Sequence, residues 1–337
     1  MSENNVQNIQ LKYKPVGDIR NNVTGFAYSG LGYALSWNGI VTAQDDPYDE
    51  RGMISDIPKT DSRIHLQDAM IIFGGQNDTH DSIKQNIMKY GAVSVQYTQT
   101  NSDYQYNDEV CQPTHFVSLV GWDDNIPAKK FKSENNKYPS KQRGWIFKDS
   151  EGINNGDEGY CYISYCDKSF LTNDYHAIEP QYAAVAYIFE NDIDYHVNYQ
   201  TDLTGLAGFD GNYTYYSNEF ISKYNEEIGA VGTYFKDSGI DYSFDVYVNN
   251  QKVHSQSGIS EFAGFKTIIM DKYVPIKTED NFKVVFKNNA VPYQAFSRQH
   301  YVPGMSLVSK DNNTWNDMAK QDKTVCLKAY TVKTGVK

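Results

Sequence analysis

The sequence lacks the features that would place it in a bilayer or on nucleic acid. Its 337 residues carry a formal net charge of −11, so no basic excess is available to bind phosphates or an anionic membrane surface. No apolar run approaches the length of a transmembrane span, and the N-terminus has no basic segment followed by an apolar one. We therefore expect neither a nucleic-acid partner nor a membrane span.

Cysteine is scarce, with only four residues, and no two of them have the close spacing of a zinc site. The sequence thus predicts no metal bound by thiolates. None of the four begins a helix, where a thiolate would be stabilised, so buried structural thiols are the expectation for all of them. Their disulfide state is left open by the sequence. The four are Cys111, Cys161, Cys166 and Cys326.

Two apolar, strand-like segments carry residues suited to catalysis. His115 opens the segment 115–120, and Asp149 follows the segment 145–147. A nucleophile can be activated by an imidazole, provided that a third group fixes the tautomer and orientation of the ring. An isolated histidine at a strand edge is more often structural, but the pair in this order predicts a general base, His115, oriented by Asp149.

The sequence around Asp149 resembles the signature of a known family. Residues 144–160, GWIFKDSEGINNGDEGY, resemble the papain-family signature in which a strand ends in Lys-Asn-Ser-Trp-Gly before a second Trp-Gly and a Gly-Tyr. Three positions depart from it: Asp149 stands at the orienting Asn, Glu151 at the Trp that shields the histidine, and Asn155 at the second Trp. An aspartate can still orient an imidazole. The matching positions are Lys148, Ser150, Gly152, Gly156, Gly159 and Tyr160.

Upstream segments resemble the substrate-binding parts of the same family. Residues 23–28 are similar to its Gly-Gly-aromatic segment, which implies that Gly25 holds the substrate backbone and that Phe26 lines a pocket. Residues 91–95, after a helix expected from about 80 to 90, resemble the strand that lines the main specificity pocket, with Val93 as a wall. An ordinary loop glycine and a plain buried strand are the open alternatives.

No cysteine occupies the position that the resemblance assigns to the nucleophile. Residues 1–6 are similar to the segment that follows the cysteine-bearing helix in papain-like enzymes. We therefore expect the nucleophile and its helix to lie before Met1, and this chain alone to be proteolytically inactive. The competing hypothesis is a non-catalytic protein that binds a cell surface on a protease scaffold. The encoding DNA upstream of Met1 would distinguish the two.

The composition changes near residue 190, which predicts a peptidase domain at 1–190, a linker at 191–211 and a β domain at 212–337. Short alternating runs favour an all-β sandwich. They lie at 242–248, 265–270, 282–287, 305–308 and 325–332, and Asn249-Asn250 offers a tight turn. This half resembles the lectin-like domain of clostridial and archaeal cell-surface papain-like proteins.

The predicted fold is therefore an α+β papain-like lobe, incomplete at its N-terminus, followed by a jelly-roll-like, lectin-like β sandwich. The resemblance implies a cysteine-type endopeptidase, extracellular or at the cell surface, that acts on a protein or peptide. Cell-wall polysaccharide is a candidate partner of the β domain. No cofactor is expected, although calcium is a candidate ion for the acidic loops around Asp210 and Asp311, whose spacing matches no dedicated motif.

Overall fold

The computed structural model describes residues 2–10, 17, 19, 29–37, 40–48, 65–73, 79–111, 113–170, 182–189 and 195–335. By packing, the chain divides into two compact units, one formed by Met70–Ile188 and the other by Met1–Ala69 with Phe189–Lys337. In the described part of the chain, no helix is both long and apolar enough to cross a bilayer.

The helices within the described ranges are α1 (Glu3–Gln10), α2 (Ser29–Ser36) and α3 (Thr79–Tyr90), with short 3₁₀ turns at Ala128–Lys130 and Met318–Gln321. The first strands are β1 (Asp68–Phe73), β2 (Val93–Tyr97), β3 (Tyr104–Gln105), β4 (His115–Asp123), β5 (Gly144–Lys148), β6 (Tyr160–Ser164) and β7 (Tyr182–Ile188). The remaining strands are β8 (Val197–Tyr199), β9 (Gly208–Asp210), β10 (Tyr215–Ile221), β11 (Glu226–Phe235), β12 (Asp241–Val248), β13 (Gln251–Ile259), β14 (Gly264–Ile276), β15 (Asn281–Lys287), β16 (Val291–Ala295), β17 (Ser306–Ser309), β18 (Trp315–Asp317), β19 (Lys323–Val325) and β20 (Leu327–Lys333).

The unit at 70–188 is a mostly antiparallel sheet with the order β3-β6-β5-β4-β2-β7-β1. One face of β4 and β5 is apolar at every second residue, as expected for period-2 alternation, and its buried side chains form one core with those of α3. Trp145 and Phe147 are fully buried in this core. Burial of each such side chain stabilises the fold by about 1.5–3 kcal/mol. The expected helix near 80–90 is confirmed as α3.

The C-terminal part of the other unit is all β. Its strands form sheets with the orders β13-β12-β15-β10-β17-β18, β14-β11-β20-β8 and β19-β16-β9. A single apolar core contains inward-facing residues of these sheets, among them the stacked rings of Phe244 and Phe286. The strands expected at 242–248, 265–270, 282–287, 305–308 and 325–332 are confirmed as β12, β14, β15, β17 and β20.

The hairpin between β12 and β13 turns at Asn249 and Asn250, as the sequence predicts. Both residues have positive φ, 49° and 65°, which is the geometry of a type I′ turn. Asparagine tolerates this left-handed region better than most residues. The side chain of Asn249 also donates to Asp280 at 2.9 Å, which ties the turn to the loop before β15.

The N-terminal helices belong to the same unit as the β domain. The side chain of Asn198 donates to the carbonyl of Leu35 at 3.1 Å, and that of Gln10 donates to the carbonyl of Leu203 at 3.1 Å. A Cβ added at Gly32 would collide with the backbone of Thr204, so α2 lies directly against this segment. The division by packing places a boundary after Ile188, next to the change predicted near residue 190, but it groups Met1–Ala69 with the C-terminal half.

The described part of the stretch predicted to be a linker contains regular strands. Residues 195–211 contain β8 and β9, and β8 pairs with β20 while β9 pairs with β16. Asp202 is fully buried and accepts from Lys328 at 2.8 Å, a pair formed across 126 residues of sequence. This stretch is an integral part of the β domain, held by partners that are distant in sequence.

Candidate active site

His115 is the first residue of β4, at the end of the apolar row that continues through Val117 and Leu119. Cβ atoms alternate across a strand, so the imidazole lies on the same face as these two buried side chains. Tyr97 of β2 is the direct cross-strand partner of His115, and the two rings meet edge to face at 5.9 Å. The ring is therefore held on the rigid edge of the sheet, with 23% of its side chain exposed.

Asp149 follows β5 and extends the inward row of Trp145 and Phe147. The register pairs Ser118 with Lys148, so Asp149 is a diagonal neighbour of His115 across the strand pair. Diagonal neighbours are within reach of longer side chains. The Asp149 side chain is only 2% exposed.

The two predicted residues are in direct contact. Nε2 of His115 lies 2.9 Å from Oδ1 of Asp149, a charge-assisted hydrogen bond in which the ring nitrogen donates to the carboxylate. Among the described residues, no hydrogen-bond partner reaches Nδ1. With Nε2–H engaged, Nδ1 carries the lone pair of the neutral ring, so it is the atom that can accept a proton from a nucleophile.

The loop from Asp149 to Gly159 is closed by its own backbone. The amide of Asp149 donates to the carbonyl of Gly159 at 3.2 Å, and the amide of Gly159 donates to the carbonyl of Asn155 at 2.8 Å. Gly156 has a positive φ of 60°, and a Cβ there would collide with the backbone of Tyr160. Only glycine allows the loop to approach β6 this closely.

The two departures from the signature within this loop have polar partners. Nδ2 of Asn155 donates to Oδ2 of Asp149 at 3.3 Å. The exposed Glu151 accepts at Oε1 from Nε2 of Gln99 at 3.2 Å. The backbone amide of Ser150 donates to Oδ1 of Asp149 at 2.7 Å. Both carboxylate oxygens of Asp149 are thus hydrogen-bonded, one to His115 and Ser150 and the other to Asn155.

The aromatic ring of Tyr97 packs against the imidazole of His115 in this site. It is fully buried between His115 and Phe147, and its hydroxyl has no hydrogen-bond partner within the described residues. Burial raises the pKa of Tyr97 above its ordinary value, and the negative charge of Asp149 raises it further. The phenol is therefore neutral at physiological pH and contributes packing to the imidazole rather than charge.

The four cysteines lie elsewhere, and within the described chain none of them hydrogen-bonds to His115. Cys161 is buried opposite Phe147 in the sheet, and burial raises the pKa of its thiol to about 11. Cys111 donates to the hydroxyl of Thr98 at 3.2 Å. Cys166 has Ser140 as its neighbour, and burial raises the pKa of Cys326 well above its ordinary value. All four are free thiols.

The remaining predicted site residues are Gly25, Phe26 and Val93. Gly25 and Phe26 lie outside the described residues. Val93 is 1% exposed and belongs to the buried core around α3, so its side chain is not accessible to a peptide in this structure. The core position favours the plain buried strand, because Val93 faces inward with Val95 while Ser94 faces the opposite side.

No metal centre forms in the described part of the chain, where no three His, Cys, Asp or Glu side chains are placed to hold an ion. In the acidic loops that the sequence makes candidates for calcium, one carboxylate oxygen of each aspartate accepts local hydrogen bonds. Oδ1 of Asp210 accepts from the backbone and side chain of Asn212, and Oδ1 of Asp311 accepts from the backbone amides of Asn313 and Thr314. The same backbone hydrogen bonds lower the pKa of Asp311.

Asn155, Gln99 and Tyr97 carry no role that the sequence predicts. Asn155 is noticed only as a departure from the signature, although an amide at that point, inside a glycine-rich loop beside a carboxylate, is a signal for a hydrogen bond. The place of Tyr97 follows from the strand register, whereas Gln99 lies beyond the end of β2. The cross-strand pairing of Tyr97 with His115 could have been predicted once β2 and β4 were aligned.

Comparison with protein families supports the two-part organisation. Residues 198–331 match the family model described as a lectin like domain, and residues 20–179 match the model described as the papain family of cysteine proteases. The chain therefore has a papain-like protease domain followed by a lectin-like all-β domain, which confirms these two parts of the predicted fold class. No curated protein matches the chain.

Solved structures share the fold over nearly the whole chain. A clostridial cysteine protease, Cwp84 after propeptide cleavage, superposes with a TM-score of 0.78 at 21% identity, covering 99% of this chain and 88% of the other. The cysteine protease and lectin-like domains of Cwp84, a surface layer associated protein of Clostridium difficile, give a TM-score of 0.71 at 20% identity, covering 90% and 72%. At these identities the likeness establishes the fold.

Proposed function

We propose that this chain supplies the base and the orienting residue of a papain-type cysteine endopeptidase. The observation that carries the proposal is the 2.9 Å contact between His115 Nε2 and Asp149 Oδ1, which leaves Nδ1 available toward a nucleophile. The papain-family match over residues 20–179 supports the same reaction class. The substrate class is a protein or peptide.

In the proposed mechanism, His115 removes the thiol proton through Nδ1, and the thiolate attacks the carbonyl carbon of the scissile peptide bond. The protonated ring then gives that proton to the leaving amine as the bond breaks. A water attacks the resulting thioester with His115 as base again, releasing the acid and restoring the thiol. Asp149 keeps the proton on Nε2 throughout and stabilises the imidazolium.

The four cysteines in this chain are not suited to be that nucleophile, and we propose that none of them is. Cys161 is buried with a raised pKa of about 11, so little thiolate forms near neutral pH. Neither Cys111 nor Cys166 contacts the imidazole, and Cys326 belongs to the other unit. The isolated chain of 337 residues is therefore expected to hydrolyse no peptide.

The test compares two samples. One is the protein expressed from the gene at its natural chromosomal locus, called the natural-locus product, and the other is this chain expressed alone, called the isolated chain. Hydrolysis of a quenched fluorescent peptide library is measured for both, with and without a thiol-directed peptidyl electrophile. We expect thiol-sensitive hydrolysis by the natural-locus product that disappears in His115→Ala, and none by the isolated chain. Natural-locus activity that is indifferent to His115→Ala would contradict the mechanism.

Cysteine reactivity tests the statement about the nucleophile separately. The isolated chain is alkylated with iodoacetamide over a range of pH, and each cysteine is followed by mass spectrometry. We expect the rates at all four positions to be unchanged by His115→Ala, with Cys161 among the slowest. A cysteine whose alkylation slows by tenfold or more in that variant would be the nucleophile, and the statement would be wrong.

We also propose a cell-surface location, with the lectin-like domain attaching the protein to a cell-wall polysaccharide. The match to the lectin like family model over residues 198–331 supports a carbohydrate partner, and the shared fold with a surface layer associated protein supports the location. Glycan arrays and calorimetry with purified cell-wall polysaccharides test it. An absence of binding to every polysaccharide would contradict the attachment.

A further inference from the structure

Asn155 lies close enough to the catalytic carboxylate to act on it. Its Nδ2 is 3.3 Å from Oδ2 of Asp149, the oxygen that does not contact His115. An ionised carboxylate only accepts hydrogen bonds, so the amide side chain of Asn155 must present its nitrogen here. Asn155 is half-buried, whereas its neighbour Asn154 is exposed and makes no such contact.

Backbone hydrogen bonds fix the position of Asn155. Its amide donates to the carbonyl of Gly152 at 3.2 Å, and its carbonyl accepts from the amide of Gly159 at 2.8 Å. Gly159 in turn accepts from the amide of Asp149 at 3.2 Å. The loop therefore delivers the Asn155 side chain to one oxygen of Asp149 while β5 delivers the other oxygen to His115.

Asp149 needs such a partner because it is a carboxylate. Its side chain is 2% exposed, so water cannot reach its oxygens freely. An amide at position 149 would have one oxygen to accept from His115 and one nitrogen to donate, whereas a carboxylate has a second acceptor that is costly to bury without a donor. Asn155 supplies that donor.

We infer that Asn155 is a positioning residue for the His115–Asp149 pair, and that the two signature departures at 149 and 155 form one coupled exchange. Asn155 holds Oδ2 so that Oδ1 stays in line with Nε2 of His115. The inference rests on the proposed function for its effect on rate, but the contact itself is a property of the isolated chain.

A double-mutant cycle tests the coupling. Asn155→Asp places two carboxylates face to face, which repel each other and displace Asp149. We expect this single change to lower kcat of the natural-locus product by about 100-fold with little change in KM, since a misplaced catalytic group can cost that much. Asn154→Asp, which adds the same charge one residue away, is the matched control and should change kcat by less than about twofold, as surface changes usually do.

The reversed pair decides between coupling and a merely structural role. In Asp149→Asn with Asn155→Asp, the introduced amide can donate to the introduced carboxylate while its oxygen accepts from His115. We therefore expect Asn155→Asp to be harmless or beneficial in the Asp149→Asn background, although it is harmful in the wild type. An equal loss in both backgrounds, or an equal effect of Asn154→Asp, would overturn the inference.

A spectroscopic measurement on the isolated chain keeps the inference separate from the proposed function. The ¹⁵N shifts of a neutral imidazole report which nitrogen carries the proton. We expect His115 to be held as the Nε2–H tautomer in the wild type and the reversed pair, and to become a mixture in Asn155→Asp and Asn155→Ala. A ring unaffected by both single changes would overturn the inference even if peptide hydrolysis were confirmed. A mixed tautomer with no hydrolysis in any form would instead refute the peptidase alone.

Discussion

The molecule contains two histidine–carboxylate pairs that look alike and differ in what surrounds them. His115 contacts Asp149 at 2.9 Å, and His196 contacts Glu226 at 3.0 Å. In each pair the histidine is about a quarter exposed, at 23% and 28%, and the carboxylate is buried, at 2% and 0%. Contact distance and burial therefore do not identify which pair is catalytic.

The difference lies in the remaining hydrogen bonds. Glu226 accepts from the hydroxyls of Tyr199 and Thr331 as well as from Nδ1 of His196, so it joins three strands or strand ends of the β domain. The His196 backbone is itself tied to Thr331 at 2.7 Å. This carboxylate stabilises a sheet. Asp149, by contrast, is held by a glycine-rich loop, and its histidine keeps Nδ1 free of described partners.

Replacing each histidine in turn is the strongest test of whether the two pairs differ in function. His115→Ala should lower kcat/KM of the natural-locus product by about 10³–10⁴-fold, because a general base and its orienting partner act as a unit. His196→Ala should leave the rate per folded molecule within about twofold, since His196 lies outside the pair proposed to be catalytic. Comparable losses in the two variants, measured on samples with equal folded fractions, would remove the distinction drawn here.

Removing the Glu226 carboxylate should lower the stability of the protein without removing its activity. Glu226→Ala leaves two buried hydroxyls and an imidazole without their acceptor, and we expect the free energy of unfolding to fall by about 3 kcal/mol, at the lower end for a broken buried pair because His196 is partly exposed. Urea unfolding of the isolated chain measures it. The fold of the active site should persist, which peptide hydrolysis by the folded natural-locus variant checks. A stability within 1 kcal/mol of wild type would contradict the structural role assigned to Glu226.

Each pair also has a tyrosine beside it, and the two tyrosines differ in their hydrogen bonds. The Tyr199 hydroxyl donates to Glu226 and accepts from the backbone amide of Lys223 at 2.8 Å, whereas the Tyr97 hydroxyl is buried without a partner in the described residues. Tyr199→Phe should therefore lower the free energy of unfolding by about 1.5–3 kcal/mol for a lost bond to a charged group. Tyr97→Phe should be neutral or stabilising, because it removes an unpaired polar atom. Reversal of this order in urea unfolding would contradict the assigned hydrogen bonds.

These contrasts also mark what the sequence could predict. The positions of His115 and Asp149 follow from alternation along two strands and from the papain-like signature, and both are local in sequence. The turn at Asn249 and Asn250 is equally local. The contact of Asn155 with Asp149 depends on how a loop closes, which glycine spacing suggests but does not fix.

The differences between the predicted domain division and the packing have the same physical origin. Residues 195–211 resemble a linker because scattered aspartates, tyrosines and glycines show no period. Their burial depends on partners such as Lys328 for Asp202, which lie more than a hundred residues away and leave no local pattern. The N-terminal helices likewise pack against 198–204 through side-chain amides that bond to backbone carbonyls. Such long-range polar contacts are invisible to periodicity.

The smallest expected effect is the dependence of stability on alkaline pH at the second pair. Burial and the hydrogen bond to Glu226 raise the pKa of Tyr199 to about 12, above the ordinary value of 10.0. The unfolded chain ionises this phenol first, so its contribution to stability is complete below pH 10 and is lost as the pH rises toward 12. Urea unfolding between pH 9 and 11.5 should therefore show a shallower decline in Tyr199→Phe than in the wild type. Glu219→Gln, which changes a partly exposed β10 side chain that accepts from Asn281 of β15, is the control and should leave the slope unchanged. Parallel curves for Tyr199→Phe and wild type would mean that the phenol is not held buried against Glu226, and the two histidine–carboxylate pairs would then differ less than their hydrogen bonds indicate.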